Sequence, residues 1–425
     1  MRMIKPLGLL LAIVFICTGC GGSLSAIASK KQAELKGIEK PDVSSEDKLY
    51  MASNTAGVQL LQKIAAGSEG NNTIFSPISL STILAVLQNG ADGKTREEIN
   101  TIINPEQLST EELNEKYCST INHLINAGYK ENGNKTTLIE IVNSLWIHEK
   151  LRVKDSFLKA SNTYYGAEAY NVNFEKESTI RDMNGWIEDK THGRIQNCIT
   201  GVTPLPAMVA FNALYFNGKW QSPFDKSNTQ REDFYLSNGK ITKVEMMNGD
   251  KWIHYYEDEQ IQAGESNYYG CSMLVILPKG NIGEYVHNLN YSGIQKVYSN
   301  SENIKVKIKF PKFNYKQKNE LNDHLKSMGL ESAFDSRNAD FTKIADRAGG
   351  FNLFVSDISQ ECFIAVDEEG TEAAALTSVT LHGGAPKVNI PPEFYINKPF
   401  VFAIRDNKTG LILFIGKVEN PSDNK

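Results

Sequence analysis

Met208–Phe216 reads as an almost unbroken apolar run, interrupted only by Asn212. A strand with one wet face alternates apolar and polar residues; an unbroken run of this length marks a strand covered on both faces. The chain must therefore bury a sheet between two layers. Leu138–Ile147 is likewise apolar, with Asn143 and Ser144 inside it. Around these runs the pattern mixes helix and strand. Ala52, Ala56, Leu60 and Ile64 recur at helical spacing within Leu49–Ala66. Asn238-Gly239, between Asp233–Ser237 and Lys240–Met247, predicts a two-residue hairpin. Ser272–Leu277 and Ile304–Phe310 read as strands, and Glu320–Met328 as a helix stopped by Gly329. Phe400–Ile404 and Leu411–Val418 make a last hairpin.

A length of 425 residues suggests two or three domains at the usual ~150 residues each. No Pro/Gly/Ser-rich linker divides residues 49–421, however, which predicts one large α+β domain over 48–425. Ahead of it lie two segments of different character. Arg2 and Lys5 precede the apolar run Leu7–Ile16, which is too short to span a bilayer and reads as a signal peptide over 1–19. Thr18-Gly19-Cys20 resembles a prokaryotic lipoprotein cleavage box, in which Cys20 receives a lipid; Cys17 stands where Leu is usual. Residues 20–47 are polar and of mixed charge, and read as a tether holding the body off a membrane. The chain is thus expected in the cell envelope or outside the cell, lipid-anchored, with plain secretion as the alternative.

With 45 basic and 50 acidic residues the chain has no basic excess, which argues against nucleic acid as a partner. Cys118, Cys198, Cys271 and Cys362 form no CxxC pair or zinc spacing and are expected as single buried thiols, with one disulfide as the alternative. No HExxH, GxSxG or GxxxxGK[ST] motif occurs, and the seven His residues are scattered singly. No enzyme, metal or cofactor is expected. Val366–Thr377 reads Val-Asp-Glu-Glu-Gly-Thr-Glu-Ala-Ala-Ala-Leu-Thr. The alanine run suits a helix start. Read as a strand, it places the short residues Thr371, Ala373, Ala375 and Thr377 on one face and Glu372, Ala374, Leu376 and Ser378 on the other.

Several segments resemble the serpins, the serine-proteinase-inhibitor family. They include Asn72-Thr73-Ile74-Phe75-Ser76-Pro77-Ile78-Ser79, Asn143-Ser144-Leu145-Trp146, and Thr191-His192-Gly193-Arg194-Ile195. Phe211-Asn212-Ala213-Leu214-Tyr215-Phe216-Asn217-Gly218-Lys219-Trp220, Pro311-Lys312-Phe313 and Asn397-Lys398-Pro399-Phe400 follow in family order, so that the match runs over about residues 49–421. The resemblance implies about three β-sheets, eight or nine helices and an exposed reactive-centre loop on a monomer. It also implies a suicide inhibitor of serine proteases, with cysteine proteases as a further target class. The protease cuts the loop and forms an acyl-enzyme, and the loop then inserts into the central sheet. A non-inhibitory binding protein of the same fold, on the cell surface, is the alternative.

In that reading Glu368, Glu369, Gly370, Thr371, Glu372, Ala373, Ala374, Ala375 and Thr377 form the loop's hinge, whose short residues match inhibitory members. In the uncut chain Thr371 is expected outside the sheet or at its edge. Ser76, Ser79 and Asn212 resemble the residues that hold the sheet closed, and Gln360 stands where the family often has His. Trp220 packs at the top of the sheet, where Lys312 and Glu368 are expected to pair. Counting from Glu368, the scissile bond falls at Gly384–Ala385, which suits an elastase- or subtilisin-like protease. Counting back from Asn397 gives Lys387–Val388, suited to a trypsin-like one. The hinge-side count prevails, because insertion length fixes how far the protease is carried.

Overall fold

The computed structural model describes residues 35–38, 41–128, 135–197, 199, 201, 208–347, 352–371 and 391–423. In chain order the first elements are α1 (Lys48–Ala66), β1 (Thr73–Phe75), α2 (Pro77–Gly90), α3 (Gly93–Ile103), α4 (Thr110–Ile125), β2 (Thr137–His148), α5 (Asp155–Tyr165), β3 (Glu168–Val172) and α6 (Glu177–Lys190). Next come β4 (Met208–Lys219), β5 (Gln230–Tyr235), β6 (Ile241–Glu257), β7 (Ile261–Asn267), β8 (Cys271–Pro278), α7 (Ile282–Asn288) and α8 (Tyr291–Asn300). The chain closes with β9 (Glu302–Pro311), β10 (Phe313–Glu320), α9 (Asn322–Lys326), β11 (Val355–Val366), β12 (Gly370–Thr371), β13 (Glu393–Tyr395), β14 (Phe400–Asp406) and β15 (Ile412–Val418).

Six strands form the central sheet in the order β10-β11-β12-β4-β2-β3, with β11 also paired to β4. Its covering is what the Met208–Phe216 run demands. Phe211, Val209 and Trp146 pack on one face with Trp186, Met183 and Ile187 of α6, while Met208, Ala210 and Leu214 join the main core. Nine further strands make one continuous ladder, because the long β6 pairs with β5, β9 and β7 along its length. Two of the roughly three expected sheets are thereby joined through one strand.

The predicted elements mostly recur, with two local differences. The hairpin loop spans 236–240 rather than two residues: Gly239 alone takes a positive φ of 81°, its N–H donates to Leu236 O, and Leu236 N–H donates to Lys240 O. That is a tight turn followed by a glycine bulge. Glu320 ends β10 instead of starting a helix, because Lys318–Glu320 pair with β11, and α9 covers only Asn322–Lys326. Cys118, Cys271 and Cys362 are free buried thiols; Cys198 lies outside the described residues.

The expected tether is in part bound to the body. Lys36 N–H donates to Thr163 O at 2.7 Å, while the Asn122 amide donates to Lys36 O at 2.9 Å and accepts from Ile38 N–H at 3.1 Å. A side-chain amide that both donates and accepts can hold an extended backbone without any apolar pattern, so the composition gave no sign of it. Residues 1–34, with Cys20, lie outside the described residues.

Candidate functional site

β11 and β4 run parallel and are registered from Val355–Met208 up to Glu361–Ala213. Above that point no ladder pair joins them among the described residues. Cys362–Ala365 and Leu214–Asn217 therefore form the two banks of a cleft. The chain itself enters this cleft from the top. After Val366 it reverses within four residues: Asp367 N–H donates to Gly370 O at 2.8 Å, and the Asp367 carboxylate accepts from Glu369 N–H at 2.9 Å and Gly370 N–H at 3.2 Å. Gly370 and Thr371 then lie between the strands, Gly370 opposite Lys219 and Thr371 opposite both Gly218 and Val366. Gly370 has φ +153°, and a Cβ there would stand 2.1 Å from Gly218 O, so the reversal needs glycine.

This overturns the expectation for Thr371. It is not outside the sheet or at its edge; it is 2% exposed. Its hydroxyl is hydrogen-bonded to the Tyr268 hydroxyl at 2.6 Å, and burial pushes that phenol well above its ordinary range. Tyr268 stacks on Trp220 with centroids 4.2 Å apart and ring planes 12° apart. Trp220 in turn grips the turn, its indole N–H donating to Asp367 O at 3.0 Å and its backbone N–H to Glu369 O at 2.9 Å. Glu369 is paired with Lys226.

Glu368 is 3% exposed and anchors the same turn from the other side. Its carboxylate accepts from Lys312 Nζ at 2.9 Å and from the Thr229 hydroxyl at 2.7 Å. Burial alone would raise its pKa, but Lys312 and Thr229 outweigh it and hold the carboxyl below the usual range. A depressed pKa contributes stability that is complete above the ordinary carboxylate value of about 4.3 and is lost as pH falls through the folded value. Lys312→Met, by this logic, lowers stability at pH 7 by about 1–3 kcal/mol, since the ammonium is partly solvated. At pH 3, below the ordinary carboxylate value, the difference from wild type is smaller. Urea melts of both chains at the two pH values measure this.

Lower in the sheet, four side-chain amides stand in one row across four strands. Asn319 of β10 pairs with Gln360 of β11, Gln360 with Asn212 of β4, and Asn212 with Asn143 of β2. All four are buried. Gln360 is clamped to the start of α2: it accepts from Ser76 N–H at 2.8 Å and donates to Ser76 O at 2.9 Å. Ser76 caps that helix towards Ser79. Asn212 donates to Asn143 Oδ1 at 2.7 Å, leaving Asn212 Oδ1 and Asn143 Nδ2 without partners among the described residues. On the opposite face, the segment after α6 straps both banks of the cleft. The His192 ring lies 4.6 Å from that of Tyr215 and bonds Glu140 at 2.6 Å, while Arg194 sits over Phe363.

The structure thus brings Glu368, Glu369, Gly370, Thr371, Trp220 and Lys312 together at the top of the sheet, and Ser76, Ser79, Asn212 and Gln360 at its middle. Glu372, Ala373, Ala374, Ala375 and Thr377, and both candidate bonds at Gly384–Ala385 and Lys387–Val388, lie outside the described residues. Sequence reasoning missed Tyr268, Thr229 and Asn319. Asn143 carried a usable signal, since it interrupts an apolar strand just as Asn212 does.

A family model described as serpin (serine protease inhibitor) matches residues 51–421. An uncharacterised serpin-like protein of Thermococcus kodakarensis is 35% identical over 94% of this chain and 91% of its own length. Human serpin B10 is 30% identical, over 88% of this chain and 100% of its own. Among solved structures, the thermophilic serpin tengpin in its native state superposes with a TM-score of 0.80 at 28% identity, covering 91% of this chain and 97% of tengpin. Thyroxine-binding globulin in complex with thyroxine superposes with a TM-score of 0.79 at 25% identity, covering 89% of this chain and 100% of that one.

Proposed function

The chain belongs to the serpin family, and on that footing we propose that it is a suicide inhibitor of serine proteases, acting through cleavage and sheet insertion of its loop. Serpins in general inhibit proteases rather than act as enzymes. The observation that carries the reading here is the Gly370–Thr371 strand, already seated at the mouth of a cleft that continues downward between β11 and β4. The residues that follow it on the inward face, Ala373, Ala375 and Thr377, are small enough to enter without overpacking.

In this mechanism the protease serine attacks the carbonyl of Gly384. The Gly384–Ala385 bond breaks, Ala385 leaves as a free amine, and Gly384 stays esterified to the protease. The freed hinge then zips into the cleft and carries the protease with it. The partner is thus a serine protease held covalently, and the inhibitor itself is a monomer that needs no cofactor. A panel of elastase-, subtilisin- and trypsin-like enzymes tests this. We expect a detergent-resistant complex of summed mass with an enzyme of the first two kinds, and a released fragment beginning at Ala385. A fragment beginning at Val388 would assign a trypsin-like target instead, and cleavage without any stable complex would leave a non-inhibitory binding protein.

We further propose that residues 1–19 are removed, that Cys20 carries a lipid, and that the chain sits on the outer side of a cell membrane. The support is the Thr18-Gly19-Cys20 box behind a short apolar run. Cys20→Ser is expected to move the protein from the membrane pellet to the soluble fraction. A wild-type chain that is soluble from the outset ends the anchoring idea.

A further inference from the structure

One tryptophan of this chain is left in water. Trp252, on β6, is 67% exposed, more than any other large apolar side chain among the described residues. Its indole makes no hydrogen bond or ring contact among them. An exposed indole forgoes one of the largest apolar burials a single side chain offers, and tryptophan is the residue most enriched where one protein anchors on another.

Register fixes where it stands. Trp252 lies opposite Lys305 of β9, and Asp250 lies opposite Lys307. On its other side β9 runs parallel to β13, with Lys307 opposite Glu393. Lys307 N–H also donates to Pro392 O at 3.0 Å, which carries the alignment one residue ahead of β13. Continued by one more, Pro391 comes level with Lys305 and Trp252, two strand spacings or about 10 Å from the indole strand. Pro391 is where the described chain resumes after the reactive loop. The indole therefore stands at the end of this sheet where the chain returns from the loop.

The charges around it are paired with one another. Lys305 Nζ lies 3.1 Å from the Asp250 carboxylate, and Lys307 Nζ lies 3.8 Å from that of Glu393. An apolar centre inside a rim of self-paired charges is the layout of a protein interface, and it suits a partner with an apolar depression rather than a strongly charged one.

On the reading of this chain as a protease inhibitor, we propose that Trp252 docks on the body of the target protease, outside its active-site cleft, and helps to set which protease is caught. Continuity with the loop decides the occupant. An interface of standard size, about 800 Å² a side, extends roughly 16 Å from its centre, so an enzyme seated where the loop rejoins the sheet covers the indole.

The test uses the full chain and the panel enzyme that cuts its loop fastest, with the rates of cutting and of trapping both measured. Trp252→Ser is expected to slow both about tenfold. The melting temperature and the fraction trapped per cut stay as in wild type, because docking changes and insertion does not. Trp252→Phe keeps at least half of each rate. Ile241→Ser, which removes another exposed apolar side chain (58%) at the far end of β6, changes neither. A wild type that is cut but never trapped ends the inhibitor reading alone, since slower cutting of Trp252→Ser would still report the contact. Unchanged cutting of Trp252→Ser overturns the contact, whether or not the wild type traps. Should Trp252→Ser fail to fold, hydroxyl-radical oxidation of Trp252 in the wild type decides. Protection by the protease with its nucleophilic serine replaced by alanine supports the contact, and equal oxidation overturns it. Protection that grows with chain concentration in the absence of protease assigns the face to a second copy and overturns the protease as its partner.

Discussion

Ala373→Arg is expected to turn the chain from an inhibitor into a substrate, with the moles of chain consumed per protease trapped rising at least tenfold. The reason lies in the register set by the strand already in place. Gly370 faces Lys219 and Thr371 faces Gly218, so continuing that antiparallel pairing brings Ala373 opposite Phe216; the Val366–Thr371 pair likewise brings it opposite Ile364. Phe216 and Ile364 are buried, so this is the face that enters the core. An arginine there would be desolvated among apolar side chains with no carboxylate to meet it, which costs several kcal/mol. Insertion would stall two residues beyond the seated strand, while deacylation ran on. The intact chain is expected to melt within about 2 °C of wild type. Thr371 cannot serve for this test, because it is buried before any cleavage. Glu372→Arg is the control: its partners Asn217 and Ala365 are half-exposed on the other face, and inhibition should survive. Equal loss in both variants would sink strand insertion.

Cleavage of the loop should raise the melting temperature of the wild-type chain by 10 °C or more. Full insertion adds roughly a dozen backbone hydrogen bonds at about 1 kcal/mol each, on the order of 10 kcal/mol before packing. For a domain of this size, 1 kcal/mol corresponds to about 1–2 °C. The gain is comparable to the whole folding stability of a typical protease, about 5–15 kcal/mol. In the proposed mechanism, that is what lets insertion distort the trapped enzyme. Calorimetry of the chain before and after a single cut measures it, and cut Ala373→Arg should gain much less. A wild type whose melting is unmoved by cleavage would remove the driving force from the mechanism.

Much of this was legible in residue patterns because burial on both faces leaves a plain signature. The Met208–Phe216 run announced a covered strand, and Asn212 within it announced a polar group needing partners. Short residues at alternate hinge positions are what the proposed insertion requires, and those beyond Thr371 lie outside the described residues. What stayed hidden depends on tertiary proximity. Nothing near Tyr268 signals that its hydroxyl meets Thr371, and Asn319 sits in a strand of ordinary polar alternation. The seated position of Thr371 was missed because the reversal is decided by Asp367 capping two backbone N–H groups and by the space Gly370 leaves beside Gly218. The bound Lys36 segment was missed because one asparagine, far along the chain, holds it.

The parallel ladder between β11 and β4 ends at Glu361–Ala213, and in the proposed insertion that boundary would divide the loop's descent into two regimes. The first four residues after Thr371 meet banks that are already parted, so each one only adds bonds. From Leu376 downward every step must unpair one registered contact of β11 with β4 before it can make its own, as an invading strand of nucleic acid displaces its rival one position at a time. On the register of the seated strand, Thr377 would arrive level with Gln360 and Asn212, inside the row of amides. In the proposed mechanism the clamp of Gln360 on Ser76 would act as a checkpoint within the zipper. The proposed mechanism then predicts that a protease that hydrolyses its ester before the fifth or sixth residue enters escapes, and that a slower one is held.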